Sequence, residues 1–91
     1  MVRISRLFGR DMAVDLGTAN TVVYARREGI VLDEPSVVCI NSQTRDIVAV
    51  GMEAKVMEGR TPESVVVVRP MQEGVIADFE ITTLMIKYML Q

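Results

Sequence analysis

The sequence has 91 residues, of which 49% are apolar and 24% charged, and this composition fits one globular unit rather than two domains. It contains no histidine and one cysteine, which excludes imidazole catalysis, thiolate zinc sites and an intrachain disulfide. The net charge of −2 argues against nucleic-acid binding, and no stretch is as long and apolar as a membrane span or a secretory signal. We therefore expect a cytoplasmic protein whose chemistry depends on carboxylates, hydroxyls or a bound metal.

The first ten residues are basic, whereas the rest of the chain is acidic, with seven basic and twelve acidic residues. On a helix the arginines of this segment would lie opposite its large apolar residues, a pattern typical of helices that lie in a membrane surface. We predict an amphipathic membrane-binding segment over residues 1–10, and a frayed terminus is the alternative. The residues that would contact the membrane are Arg3, Arg6, Arg10, Ile4, Leu7 and Phe8.

The next feature is the motif DLGTANT, residues 15–21, between the apolar runs Met12–Val14 and Thr21–Ala25. It predicts a tight turn between two strands. Gly17 would provide backbone torsions that a side chain forbids and let the main chain approach a ligand closely. The backbone amides after Gly17 could then line one concavity, which is a common way to bind phosphate.

The polar side chains of the same motif support this interpretation. Thr18, Asn20 and Thr21 can donate hydrogen bonds to phosphate oxygens, and Ala19 contributes its amide. Asp15, at the predicted strand end, is placed to hold a hydrated divalent cation. An ordinary hairpin with no ligand remains the alternative.

The middle of the chain predicts short strands and one short helix. We expect strands over Ile30–Leu32 and Ser36–Ile40, the latter paired antiparallel with Ile47–Val50. A helix is predicted over residues 52–58, with Met52, Val56 and Met57 on one face. The β-branched run Ser64–Val68 suits a strand buried on both faces.

The last segment predicts an extended piece over Val75–Ala77 and then an amphipathic helix that Asp78 caps. Ile86 and Leu90 widen the apolar surface of this helix, and we expect them to pack against sheet strands outside this sequence. The main apolar stripe consists of Ile81, Leu84, Met85, Tyr88 and Met89.

Four ordered blocks of the sequence form a recognisable pattern. The blocks are DMAVDLGTANT (residues 11–21), GIVLDEPSVV (29–38), AVGMEAKVMEGRTP (49–62) and VRPMQEGVIADFEIT (68–82). They resemble the actin-like ATPase superfamily, and within it they are most similar to the MreB family of bacterial actins. DnaK-type chaperones have a similar first block, but usually with a second threonine where Ala19 stands, and their later blocks differ.

The resemblance implies an α/β, actin-like (ribonuclease H-like) fold with a mixed sheet and short helices. Residues 11–33 and 75–91 would form half of subdomain IA, and residues 34–74 the small α+β subdomain IB. The cofactors would be ATP and Mg²⁺. The first phosphate loop of the family would comprise Gly17, Thr18, Ala19 and Asn20, with Asp15 contacting magnesium through water.

The implied function is that of the N-terminal part of a membrane-associated bacterial actin that binds ATP, polymerises and directs cell-wall synthesis to maintain rod shape. Its partners would be other copies of itself, the anionic inner leaflet of the cell membrane and membrane proteins of cell-wall elongation. Because the second phosphate loop and the adenosine pocket of this family come later in the chain, we expect these residues alone neither to hydrolyse ATP nor to bind it tightly. The alternatives are a truncated, inactive paralogue that acts as a binding module, or another superfamily ATPase such as a DnaK-type chaperone or a sugar kinase.

Overall fold

The computed structural model describes residues 2–7 and 10–91, with residues 2–7, 10 and 11 described by their backbone alone. No helix in this described part is long and apolar enough to cross a membrane. The helices are α1 (Met52–Met57) and α2 (Phe79–Met89). The strands are β1 (Val2–Leu7), β2 (Arg10–Leu16), β3 (Asn20–Ala25), β4 (Gly29–Pro35), β5 (Val38–Asn41), β6 (Ile47–Val50), β7 (Val65–Val68), β8 (Met71–Gln72) and β9 (Val75–Ile76).

The first four strands form one antiparallel sheet in the order β1-β2-β3-β4. Leu16 of β2 pairs with Thr21 of β3, so the turn predicted around Gly17 is confirmed. Val14 and Val23 are fully buried opposite each other and form a core with Met12. This sheet holds the DLGTANT turn at the end of its two central strands.

The N-terminal segment is a strand and not the predicted helix. Val2 pairs with Val14 and Ile4 with Met12, which places β1 on the open edge of β2. Two physical reasons favour this outcome. A helix of ten residues is marginal in water, and the apolar and polar residues of Val2–Ser5 alternate with the period of a strand.

The second sheet has the order β6-β5-β7, and the predicted antiparallel pairing of the strands on either side of Asn41–Asp46 is confirmed. Its central strand begins two residues later than predicted because Ser36 and Val37 donate their amides elsewhere, to Ala19 O and Pro35 O. The prediction that β7 is buried on both faces is wrong. This strand lies at the sheet edge, and the Val66 side chain is 40% exposed.

The two helices pack on this second sheet in separate apolar clusters. Ala54 is the fully buried residue of α1, whereas Met52 and Val56, which we placed together with Met57 on one face, are exposed. Ile81 and Met85 of α2 are buried in the other cluster.

The capping prediction for α2 is confirmed, because the Asp78 side chain accepts a hydrogen bond from Ile81 N at 2.9 Å. We predicted that Ile86 and Leu90 pack against strands outside this sequence. They instead pack against the cluster of Met12, Val14 and Val23 under the first sheet. Helix α2 therefore joins the two sheets through apolar contacts on two of its sides.

The mixed α/β fold class is confirmed. The subdomain boundaries at residues 33 and 74 remain a prediction.

Candidate functional site

The DLGTANT turn is a compact loop closed by its own backbone. Gly17 N donates to Asn20 O at 2.9 Å. A Cβ atom on Gly17 would lie 2.7 Å from that same oxygen, which is closer than real Cβ atoms come. The φ of Gly17 lies outside the left-handed region, so the glycine is required here for close approach and not for the special torsions that we predicted.

Beneath the loop lies a buried pair of hydroxyl groups. Ser36 Oγ donates to Gly17 O at 2.7 Å and lies 2.8 Å from Thr21 Oγ1. Ser36 N also donates to Ala19 O at 2.9 Å. Thr21 and Ser36 are 0% and 2% exposed, so the Thr21 hydroxyl supports the loop from the inside of the protein.

The outer side of the loop is exposed and polar. Thr18, Ala19 and Asn20 are exposed, and the Thr18 and Ala19 amides donate to no acceptor in the described part of the chain. Free amides on a tight, exposed turn are the feature that binds phosphate oxygens in proteins.

Two neighbouring elements hold side chains of the loop. Asn20 Nδ2 donates to Asp33 Oδ1 at 2.8 Å, which links the loop to the end of β4. Thr18 Oγ1 accepts from Gly74 N at 2.7 Å, which links it to the turn between β8 and β9.

Asp15 lies half-buried in β2, two residues before Gly17. No group of three or more histidine, cysteine, aspartate or glutamate residues that could hold a metal occurs among the described residues. The residues present therefore provide one carboxylate beside the loop, which fits a cation held mostly by water and phosphate.

The predicted membrane residues are separate from this loop. The backbones of Arg3, Ile4, Arg6 and Leu7 lie in β1 and that of Arg10 in β2, whereas Phe8 lies outside the described residues. Membrane contact by these residues stays a prediction.

A cavity of about 540 Å³ lies away from the loop, between β4, β6 and the end of α2. Its lining combines aliphatic residues with Tyr88, Met89 and three carboxylates, those of Asp33, Glu34 and Glu53. These acids oppose the binding of a phosphate anion. This cavity is therefore not the candidate nucleotide site.

Two polar features of the second sheet lie outside the loop. Arg69 forms an ion pair of 2.6 Å with Glu58, and its hydrogen bond holds the pKa of the Glu58 carboxyl below the ordinary value. Burial raises the pKa of the Cys39 thiol, which agrees with the inert core cysteine that its apolar surroundings indicate. Neither feature takes part in the loop.

Sequence reasoning missed three residues that hold the loop, namely Ser36, Asp33 and Gly74. Gly74 lies 56 residues from Thr18, and no local pattern announces such a contact. The sequence did offer one signal, because Ser36 stands directly after Pro35 at the start of a predicted apolar strand, where a hydroxyl needs a partner once the strand is buried.

Comparison with known proteins gives a consistent result. The profile of the MreB/Mbl protein family matches residues 9–91. The chain is 54% identical to the cell shape-determining protein MreB of Haemophilus influenzae over 98% of this chain and 26% of that protein. It is 49% identical to the cell shape-determining protein Mbl of Bacillus subtilis over 92% of this chain and 25% of that protein.

A solved structure agrees with these relatives. The crystal structure of MreB5 of Spiroplasma citri bound to AMPPNP superposes with a TM-score of 0.82 and 36% sequence identity, over 88% of this chain and 24% of that one. The chain thus spans about a quarter of the length of the proteins that it matches. On the extent of these matches, the chain belongs to the MreB/Mbl family and has the actin-like fold of its N-terminal portion.

Proposed function

We propose that this chain provides the first phosphate loop and the adjoining wall of the ATP site in a filament-forming, cell shape-determining actin homologue. The observation that carries the proposal is the exposed turn with the unbonded Thr18 and Ala19 amides. Two similar structures are MreB5 of Spiroplasma citri bound to AMPPNP and to ADP, which supports a nucleotide as the ligand.

Each residue of the loop has a part in this proposal. Thr18, Ala19 and Asn20 offer amides to phosphate oxygens, and Gly17 makes the turn tight enough to present them. Thr21 lies beneath the loop, and its hydroxyl supports the loop through the contact with Ser36 Oγ. Asp15 would hold Mg²⁺ through water, and the ion would neutralise phosphate charge when bound.

The loop is one half of a nucleotide site, so its affinity for nucleotide is weak. Enclosure of ATP between two domains excludes water and orients the reacting groups, and a single exposed turn provides neither. Weak binding still stabilises the folded state by mass action. With a Kd of about 1 mM, 10 mM ligand adds about 1.4 kcal/mol, or roughly 6–11 °C in Tm for a domain of this size.

The test is a thermal melt of the chain with 10 mM Mg²⁺–AMPPNP, together with an assay of ATP turnover. We expect a rise of roughly 6–11 °C in Tm and no turnover above background. An unchanged Tm would contradict phosphate binding by this loop, and turnover well above background would contradict the half-site.

The family function beyond nucleotide binding is proposed in the same way. We propose self-association into filaments, action in cell-wall synthesis with membrane proteins of cell elongation, and attachment to the inner face of the cell membrane through residues 1–10. The basic and apolar composition of that segment supports the attachment.

Cosedimentation with anionic liposomes tests the attachment. Binding should weaken as salt is added, and it should be lost when Leu7 and Phe8 are both replaced by serine. If sedimentation of this double variant matches that of the parent chain, the membrane role is wrong.

A further inference from the structure

We infer that Ser36 is a positioning residue, which turns the amides of the phosphate loop outward by holding two of its carbonyl groups from below. This inference rests on the proposed function, because it assigns Ser36 a part in phosphate binding without contact to phosphate. The argument depends on three hydrogen bonds at the base of the loop.

The first step concerns the direction of the hydrogen bonds. Ser36 has one hydroxyl hydrogen, and it points to Gly17 O at 2.7 Å. The 2.8 Å contact with Thr21 must therefore use the Thr21 hydrogen, so Thr21 Oγ1 donates to Ser36 Oγ. Each hydrogen bond in such a series polarises the next, which strengthens the hydrogen bond to Gly17 O.

The second step is that Ser36 holds the loop at two points. Its hydroxyl binds Gly17 O, and its backbone amide donates to Ala19 O at 2.9 Å. Both carbonyl groups therefore point inward to the same residue. Ser36 is 2% exposed, so water cannot easily replace these bonds.

The third step follows from peptide geometry. In a trans peptide the C=O and the next N–H point in opposite directions, and no cis peptide bond occurs among the described residues. Because Gly17 O and Ala19 O point to Ser36, the amides of Thr18 and Asn20 must point away from it. Ser36 thus fixes the direction of two of the three amides that the proposed site offers to phosphate.

The chain offers a matched control for this role. Thr82 is also buried, with 3% exposure, and its hydroxyl also donates to a backbone carbonyl, Asp78 O, at 2.6 Å. It lies in α2 and takes no part in the loop. Thr82→Val therefore removes a buried hydroxyl of the same kind and leaves the loop carbonyls held.

The experiment uses the ¹⁵N-labelled chain and its variants Ser36→Ala, Thr21→Val, Thr21→Ser and Thr82→Val. Residual dipolar couplings of the Thr18 and Asn20 amides report their direction, and a titration with Mg²⁺–AMPPNP reports the Kd. We expect Ser36→Ala to change the couplings and to raise the Kd about tenfold. Thr21→Val should raise the Kd two- to threefold, and Thr21→Ser, which keeps the hydroxyl, should recover most of this loss. Thr82→Val should leave both readouts unchanged.

The outcomes separate this inference from the proposed function. If the parent chain shows no shift with AMPPNP, the proposed function fails, while the couplings still report whether Ser36 sets the amide directions. If Ser36→Ala lowers Tm but leaves the couplings and the Kd as in the parent, the residue is only structural and the inference is overturned. Should Ser36→Ala not fold, Thr21→Val against Thr21→Ser decides the question. An unchanged Kd and unchanged couplings in Thr21→Val would then overturn the inference.

Discussion

The DLGTANT loop and the second sheet are held in shape by different forces. The loop depends on directional hydrogen bonds, from Gly17 N to Asn20 O and from Ser36 to two carbonyl groups. The second sheet depends on apolar burial, with Ile81 and Met85 of α2 packed under its central strand. Changes in the sheet should therefore act on stability, and changes in the loop should act mainly on binding.

The largest effect on stability is expected in the sheet core. Met85 is fully buried, so Met85→Ala should lower the free energy of unfolding by about 2–5 kcal/mol. Tyr88→Ala, three residues on and 46% exposed, is the control and should cost clearly less. Urea melts measure the free energy of unfolding of both variants. If Met85→Ala also raised the AMPPNP Kd of the folded chain, the proposed separation between the two regions would break down.

Gly17→Ala should have a smaller effect on stability and a larger one on binding. The new Cβ would lie 2.7 Å from Asn20 O, so the turn must open at a cost of about 1–3 kcal/mol. We expect at least a tenfold loss of AMPPNP affinity, measured by titration. Gly59→Ala is the control for a glycine replacement without a close contact, because alanine is unfavourable there through the φ of 82° alone and no atom lies within 4 Å of the new Cβ. Equal affinities of the Gly17→Ala chain and the parent would disprove the close-approach argument.

Removal of the α2 cap tests the stability of the second sheet and its helix, with a smaller expected loss. Asp78→Ala loses the hydrogen bond from Ile81 N and should cost about 1 kcal/mol in thermal melts. Asp78→Asn retains an acceptor at the cap and should recover most of this loss. The AMPPNP affinity should stay constant in both variants, and a change in it would show that α2 and the loop are coupled.

The smallest effect is expected at the Glu58–Arg69 ion pair, where both side chains are largely exposed. The folded-state pKa of Glu58 is lowered by its hydrogen bond with Arg69, so this pair stabilises the fold above the unfolded pKa of the carboxyl. Its contribution is lost as the pH falls through the folded-state pKa. Glu58→Gln should thus be slightly less stable than the parent at neutral pH and equally stable in acid, whereas Glu63→Gln should match the parent at both. If the difference in stability between Glu58→Gln and the parent instead grew as the pH falls, the predicted sign of this pH dependence would be wrong.

Local patterns predicted much of the fold. The DLGTANT turn, the Asp78 cap and the antiparallel pair on either side of Asn41–Asp46 were read correctly, because each depends on residues close in sequence. The N-terminal strand was missed, since pairing with β2 outweighed a weak helical pattern. The exposure of Val66 was missed as well, because strand order decides which strand lies at an edge.

The residues of the candidate site also divide into those that local sequence predicted and those that it did not. The residues of the loop itself were predicted from the motif, and the structure places Thr18, Ala19 and Asn20 together on its exposed side. The reason for Gly17 was predicted only in part, since close approach and not its torsion requires a glycine. Ser36 and Gly74 were not predicted, because hydrogen bonds over 19 and 56 residues depend on the finished fold.

The most direct test of the central claim separates the parts of the nucleotide. The ¹⁵N-labelled chain is titrated with Mg²⁺–AMPPNP, with inorganic triphosphate and Mg²⁺, and with adenosine. A phosphate half-site predicts that AMPPNP and triphosphate shift the same amides, those of residues 17–20, with similar millimolar Kd values, and that adenosine shifts none of them. Shifts confined to the cavity between β4 and β6, or loop shifts caused by adenosine and not by triphosphate, would contradict it.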